Sequence, residues 1–232
     1  MKLYTKIPNA SSSAGDFIRS VGYRRYYVSA DLASMSDYTA ISILEDEHVP
    51  APRWGDGFKQ LMLPRTLRVK QAFRLAKGTP YPDQVDYLER IMNDEALEGS
   101  AELWIDATGA GRAVSQLMDE KNVPHTGLVI TSGDHWKKVN SAEYRVSKQY
   151  LLNKLNLAFA TEEMKIAYNV IDREEVMKQL ADYQVEITKA GNITMNAAAG
   201  QHDDHVISLG IAYFAAKHRD NVQMSVTPLS WR

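Results

Sequence analysis

The chain reads as an α/β protein with a mixed, five-stranded central sheet, helices on both faces and one small additional β-hairpin. Two patterns carry that reading. Early in the chain, three strand-like runs follow one another without a helical segment between them, the first two across a short turn, as in an antiparallel meander. Further on, short apolar runs alternate with segments of helical periodicity, and strands joined through helices lie parallel.

Residues 1–20 contain Asn9-Ala10-Ser11-Ser12-Ser13-Ala14-Gly15, a small polar run expected to be a flexible leader or linker. Residues 21–220 form the expected folded domain, and 221–232 an irregular tail. The first strand runs from Arg24 to Asp31 and the second from Tyr38 to Leu44, across the turn Met35-Ser36-Asp37. Pro50 to Gly57 reads as a loop. In the third strand, Thr66 to Leu75, Leu67, Val69, Gln71, Phe73 and Leu75 alternate with Arg68, Lys70 and Arg74, which predicts a single basic face.

Tyr81-Pro82 opens a helix carrying Val85, Leu88, Ile91 and Met92. Glu102 to Asp106 is the fourth strand, Gly111 to Lys121 a helix, and Thr126 to Thr131 the fifth strand. Residues 141–155 and 172–183 read as helices, and Ala190-Gly191 as the turn of a hairpin within 185–196. The last helix, about 203–218, places Val206, Leu209, Gly210, Tyr213 and Phe214 on one face.

A chain of 232 residues with 44% hydrophobic content can bury a sizeable core. Zero cysteines excludes disulfides and thiolate metal sites. No run reaches the roughly 20 apolar residues of a membrane helix, and a secretory signal core is absent from the sequence. A net charge of −2 and a pI near 6.3 argue against a tight free-standing nucleic-acid binder. They are compatible with an enzyme that another module delivers to its substrate.

The most informative residues are acids at element ends. Asp31 closes the first strand, Asp106 closes the fourth, and Asp203 and Asp204 open the last helix. Each alone has a bland explanation as a turn former or helix cap. Together they differ, because the first and fourth strands are expected side by side with the helix start beside them. Carboxylates gathered in this way repel one another unless they share a cation, and hard ions such as Mg²⁺ or Mn²⁺ suit an all-oxygen set. Asp37 starts the second strand opposite Asp31, and is equally well read as a turn residue or a further ligand.

His202 and His205 invite a zinc reading, but with carboxylates around them and no cysteine they fit better as flanking groups behind the ligands. Gly109-Ala110-Gly111-Arg112-Ala113-Val114 imitates a dinucleotide fingerprint, yet Val114 replaces the third glycine. No Gly-x-x-x-x-Gly-Lys-Ser/Thr segment occurs, so this sequence contains no ATPase phosphate loop. Candidate phosphate contacts are Arg68, Lys70 and Arg74, with a second track of Lys137, Lys138, Arg145 and Lys148.

Three stretches then resemble the nuclease domain of tailed-phage large terminase subunits, a branch of the ribonuclease H-like superfamily. They are Ala30-Asp31-Leu32-Ala33 with Asp37-Tyr38-Thr39-Ala40, then Trp104-Ile105-Asp106-Ala107-Thr108-Gly109-Ala110-Gly111, and Gly200-Gln201-His202-Asp203-Asp204-His205-Val206. They fall in the family's order within residues 23–218. The resemblance implies a ribonuclease H-like fold and a metal-dependent endonuclease cutting concatemeric viral DNA during packaging. It implies that Asp31 bridges two Mg²⁺ or Mn²⁺ ions, that Asp106 binds one, and that Asp204 with Asp203 completes the site. Many family members carry another acid one turn later, where Ile207 and Ser208 stand here, which leaves Asp203 or Asp37 to supply a fourth ligand.

Such enzymes hydrolyse a phosphodiester in line, with cations about 3.5–4 Å apart activating water and stabilising the leaving oxygen. Lys137 or Lys138 is the candidate to orient the nucleophile or neutralise developing charge. The implied partners are double-stranded DNA, a terminase ATPase domain or subunit, the small terminase subunit and the portal, in the host cytoplasm. A junction resolvase, and a non-catalytic nucleic-acid-binding scaffold of the same fold, are the alternatives. An actin-like ATP-binding protein shares the sheet order, but Leu32-Ala33-Ser34 stands where its glycine-rich phosphate turn would follow Asp31.

Overall fold

The computed structural model describes residues 3–4, 20, 22–34, 37–56, 60–97, 99–187, 193–197 and 202–218, with only backbone described at 3–4, 183–187 and 193–197. The expected leader, apart from these few positions, the tail 221–232 and the turn at Ala190-Gly191 lie outside the described residues. The meander is present: β2 (Gly22–Asp31) pairs antiparallel with β3 (Ala40–His48), which pairs antiparallel with β6 (Thr66–Arg74). On the other side of β2, β7 (Ala101–Asp106) and β8 (Thr126–Thr131) follow in parallel. This puts the first and fourth expected strands side by side.

The sheet is wider than the five strands expected. A two-residue β1 (Leu3–Tyr4) pairs with β2. Beyond β8 come β10 (Glu143–Ser147), parallel to it, and the edge strand β9 (Trp136–Lys138). Beyond β6 lies β11 (Met164–Ile166), which brings the sheet to nine strands among the described residues. Three of the additions have only two or three residues, too short for alternation to show. β10 occupies the start of the helix expected at 141–155, because Tyr144 and Val146 turn inward with a period of two. Helix α3 (Lys148–Ala160) begins only after Ser147, whose hydroxyl caps it by accepting from the Tyr150 N–H at 3.1 Å.

The expected loop at 50–57 contains instead β4 (Pro50–Trp54), paired with β5 (Gln60–Met62) as a separate hairpin. The expected second hairpin is formed by β12 (Tyr183–Ile187) and β13 (Ile193–Ala197), following helix α4 (Arg173–Asp182).

Helices α1 (Tyr81–Met92) and α2 (Ala110–Glu120) cover one face of the sheet over Val28, Ile41, Leu103 and Ile105. Helix α5 (Asp204–His218) lies on the other face over Tyr27, Leu44 and Trp104, with α3 packed outside it. The single apolar face expected for α5 is not what forms. Asp204 through Ala216 are all buried, since the helix is enclosed by the sheet on one side and by helices on the other. Close approach is built in at Gly210, where a Cβ would lie 2.9 Å from Leu151 Cγ.

The single basic face on β6 is also corrected. A bulge between Ile43 and Leu44 shifts the register, pairing Ile43 with Gln71 but Leu44 with Val69. Phe73 and Leu75 consequently join the α1/α2 core, while Leu67, Val69 and Ala72 join the α5 core. Arg68 and Lys70 reach Glu45, at 3.2 and 3.7 Å. Arg74 lies instead on the α4/α5 side, 3.8 Å from Asp172 and 3.5 Å from Glu175.

Candidate metal centre

Parallel pairing and side-chain alternation set the site. Ala30 pairs with Ile105, so the adjoining ends of β2 and β7 place Asp31 and Asp106 at the same edge of the sheet. Tyr27 and Trp104 face α5, and with a period of two so do Asp31 and Asp106. The start of α5 is held against this edge by hydroxyl groups. Ser29 Oγ donates to the Ser208 carbonyl at 2.8 Å, and Ser208 Oγ donates to Ser42 Oγ at 2.9 Å. The residue one turn into the helix therefore serves docking, and Asp203 and Asp204 are delivered to the strand ends.

The electrostatics show a shortage of positive charge. Asp31 is pushed well above the usual carboxylate range, first by desolvation and then by Asp106, Asp204 and Asp203, with Lys148 opposing. Burial also raises Asp106, against hydrogen bonding from Thr108, whose N–H donates to its Oδ1 at 2.8 Å, and against Lys148. Asp204 is pushed up to about 6 by burial and by Asp37, with His202 and Arg74 opposing. Lys148 donates to Asp203 Oδ2 at 2.6 Å. One ammonium among four carboxylates leaves an excess of three negative charges when all are ionised, a costly state at this depth. Asp204 is 6% exposed, and its Oδ2 has no hydrogen-bond partner among the described residues.

Asp37 and His202 border the cluster. His202 Nδ1 lies 3.2 Å from Asp37 Oδ1 and 4.0 Å from Asp204 Oδ2. His205 is turned away: it is fully buried, its backbone N–H donates to Gln179 Oε1 at 3.0 Å, and its ring Nε2 lies 3.2 Å from Asp172 Oδ2. Burial lowers its pKa. The two histidines thus occupy separate environments, one at the carboxylates and one in the core beside α4.

Of the cations singled out in the sequence, Lys148 reaches the cluster, through an ion pair to Asp203. Its position was hidden by the helix expected at 141–155; the capping serine before it was the available signal. Lys137, Lys138 and Arg145 are exposed on the β9–β10 edge, with Lys137 directly across from Arg145. Thr131, His135, Lys137 and Arg145 line a depression there. The glycine mimic has a packing explanation, since a Cβ on Gly111 would lie 1.7 Å from the Asp106 carbonyl oxygen. Helix α2 can start against the end of β7 only with glycine at that position.

No protein-family model matches the chain. The large terminase subunit of Thermus phage G20c is 24% identical over 201 residues, covering 87% of this chain and 34% of that protein. The large terminase subunit of Thermus virus P23-45 is 26% identical over 149 residues, covering 64% and 27%. The chain therefore spans about a third of the length of the curated relatives it matches. Among solved structures, the large terminase nuclease of phage G20c with bound magnesium aligns at a TM-score of 0.54 and 23% identity, over 82% of this chain and 80% of that one. The fold is the ribonuclease H-like fold of terminase nucleases, and the resemblance noted from the sequence is supported by these relatives.

Proposed function

We propose that this chain is the nuclease module of a phage large terminase, an endodeoxyribonuclease that cuts concatemeric viral DNA during packaging. The observation that carries the reading is the gathering of Asp31, Asp106, Asp203 and Asp204 at one sheet edge, with Lys148 ion-paired to Asp203. The donor set is oxygen-rich and undercompensated, and Asp204 Oδ2 adds a buried acceptor with no partner among the described residues. These features fit hard divalent cations. Asp31, Asp106, Asp203 and Asp204 would hold two Mg²⁺ or Mn²⁺ ions, with Asp37 as a further ligand. Bound there, such ions supply an activated water and a stabilised leaving oxygen.

The chain's own residues prepare that chemistry. The Ser29–Ser42–Ser208 hydroxyls fix the start of α5 to the strands, and Thr108 orients Asp106. Lys148 restrains Asp203 and carries positive charge to the place where a scissile phosphate would sit, a role that falls to it in preference to Lys137 or Lys138. The β9–β10 edge with Lys137, Lys138 and Arg145 is the proposed path for the DNA backbone, read without base preference. Arg68 and Lys70 serve Glu45 instead.

The proposed partners are double-stranded DNA, a terminase ATPase domain or subunit, the small terminase subunit and the portal, in the host cytoplasm. Among the described residues no helix is long and apolar enough to cross a membrane. Digestion of supercoiled plasmid with Mg²⁺, Mn²⁺ or EDTA, by wild type and Asp106→Asn, tests the proposal. Nicking is expected only for wild type with a divalent ion. Undiminished cutting in EDTA, or by the variant, would overturn it.

A further inference from the structure

We propose that Asp37, His202 and Asp204 form a nitrogen-bearing cation subsite at the border of the carboxylate cluster, selective for Mn²⁺ or Co²⁺ over Mg²⁺. The inference rests on the reading that the cluster holds divalent cations, and it adds which ion one side of the cluster prefers.

One ligand atom from each of the three residues lies within 4.8 Å of the others. Ligands about 2.1 Å from an octahedral ion stand roughly 3 Å apart when adjacent and roughly 4.2 Å apart when opposite. The separations at His202 Nδ1, 3.2 Å to Asp37 and 4.0 Å to Asp204, fall in that range. A second, independent feature points to a ligand: the buried Asp204 Oδ2 faces this group and accepts no hydrogen bond from the described residues. An unpaired buried carboxylate oxygen is expensive, and a cation beside His202 would satisfy it.

The imidazole is also oriented. Its ring meets Tyr38 edge-on, with centroids 5.7 Å apart at 77°. Tyr38 in turn has Arg74 and Lys77 stacked on its ring, at 4.6 and 4.4 Å. That arrangement keeps Nδ1 toward the carboxylates.

Donor chemistry sets the preference. Imidazole suits transition ions, whereas Mg²⁺ strongly favours oxygen and sheds water reluctantly. Asp31, Asp106 and Asp203 provide an all-oxygen side, and Asp204, with two oxygens, can serve both sides. The centre then has a hard half and a borderline half.

Two readouts on the whole chain test this, neither of them cleavage. Pulsed electron paramagnetic resonance of the Mn²⁺-loaded protein should show coupling to an imidazole ¹⁴N in wild type and none in His202→Gln. By titration calorimetry, His202→Gln should weaken Mn²⁺ and Co²⁺ binding on the order of tenfold or more, and Mg²⁺ binding less than about twofold. His202 is partly exposed, so melting in EDTA should match wild type and exclude misfolding. Bound Mn²⁺ without nitrogen coupling, or equal weakening of all three ions, would overturn the subsite and leave the nuclease reading standing. A wild-type protein that binds no divalent ion would overturn both.

Discussion

Two groups of carboxylates sit at opposite ends of the same strands, and they are served very differently. Towards the start of β2, Asp46 is fully buried and is gripped by Arg65 through Nε at 2.7 Å and Nη2 at 3.0 Å, with Arg25 at 3.3 Å. Its neighbour Glu45 has Arg68 at 3.2 Å, and Lys70 and Arg24 each at 3.7 Å. At the far end, among the described residues Lys148 is ion-paired to Asp203 within the group Asp31, Asp106, Asp203 and Asp204, and Asp31 and Asp204 are held above the usual carboxylate range. One group is complete within the chain and acts as architecture: Arg65 Nη2 also donates to the Ala216 carbonyl at 2.7 Å, fastening the end of α5. The other group is undercompensated among the described residues, which is the contrast the proposed metal binding would resolve.

Substitution at the complete end should have the largest effect on stability. Asp46→Ala leaves Arg65 and Arg25 without their buried partner and should cost roughly 3–5 kcal/mol, with or without divalent ions. Denaturant unfolding in EDTA and in Mg²⁺ checks it. A loss below about 1 kcal/mol would mean that this end is no more structural than the other.

At the incomplete end the sign reverses with pH. Asp204 has a folded value of about 6 against an ordinary 3.8, so between those values the folded state holds a proton that the unfolded chain has released. Stability from this group is fully present below about pH 4 and is lost as pH rises through about 6. In metal-free buffer, wild type should therefore lose roughly 2–3 kcal/mol relative to Asp204→Asn between pH 4 and 7.5. Parallel stability curves for the two proteins would contradict the raised value.

How much of this was legible in the sequence follows from the kind of signal each part carries. Asp31 and Asp106 were readable because each directly ends an apolar strand, and parallel pairing forces such ends together. Thr126–Thr131 matched its expected bounds for the same reason, an apolar run between clear breaks. The choice between Asp203 and Asp204 was not readable, because it depends on where the first turn of α5 begins. The structure starts the helix at Asp204, buries it, and leaves Asp203 to Lys148. Arg74 was misplaced because a bulge leaves the alternation of Leu67 to Leu75 unbroken in sequence while turning half of it over in space. Lys148 was grouped with Lys137 and Arg145 by proximity along the chain, although a strand end and a serine cap send it to the carboxylates instead.

The smallest effect belongs to the exposed β9–β10 edge. Lys137→Ala with Arg145→Ala should leave stability nearly unchanged, weaken duplex DNA binding only several-fold and flatten its salt dependence by roughly two phosphate contacts. Fluorescence anisotropy across a salt series checks this. An unchanged salt slope would remove this edge from the DNA path.

The contrast between the ends is tested most directly by the melting temperature of wild type and Asp31→Asn, each in EDTA and in Mg²⁺ or Mn²⁺. Asp31 feels Asp106, Asp204 and Asp203 together, so neutralising it should relieve repulsion that Lys148 offsets only in part. Wild type should melt several degrees higher with the divalent ion than in EDTA. Asp31→Asn should melt above wild type in EDTA and gain little from the ion. A wild type indifferent to divalent ions, with Asp31→Asn less stable in EDTA, would show that this end is as complete within the chain as the Asp46 end and would contradict the account.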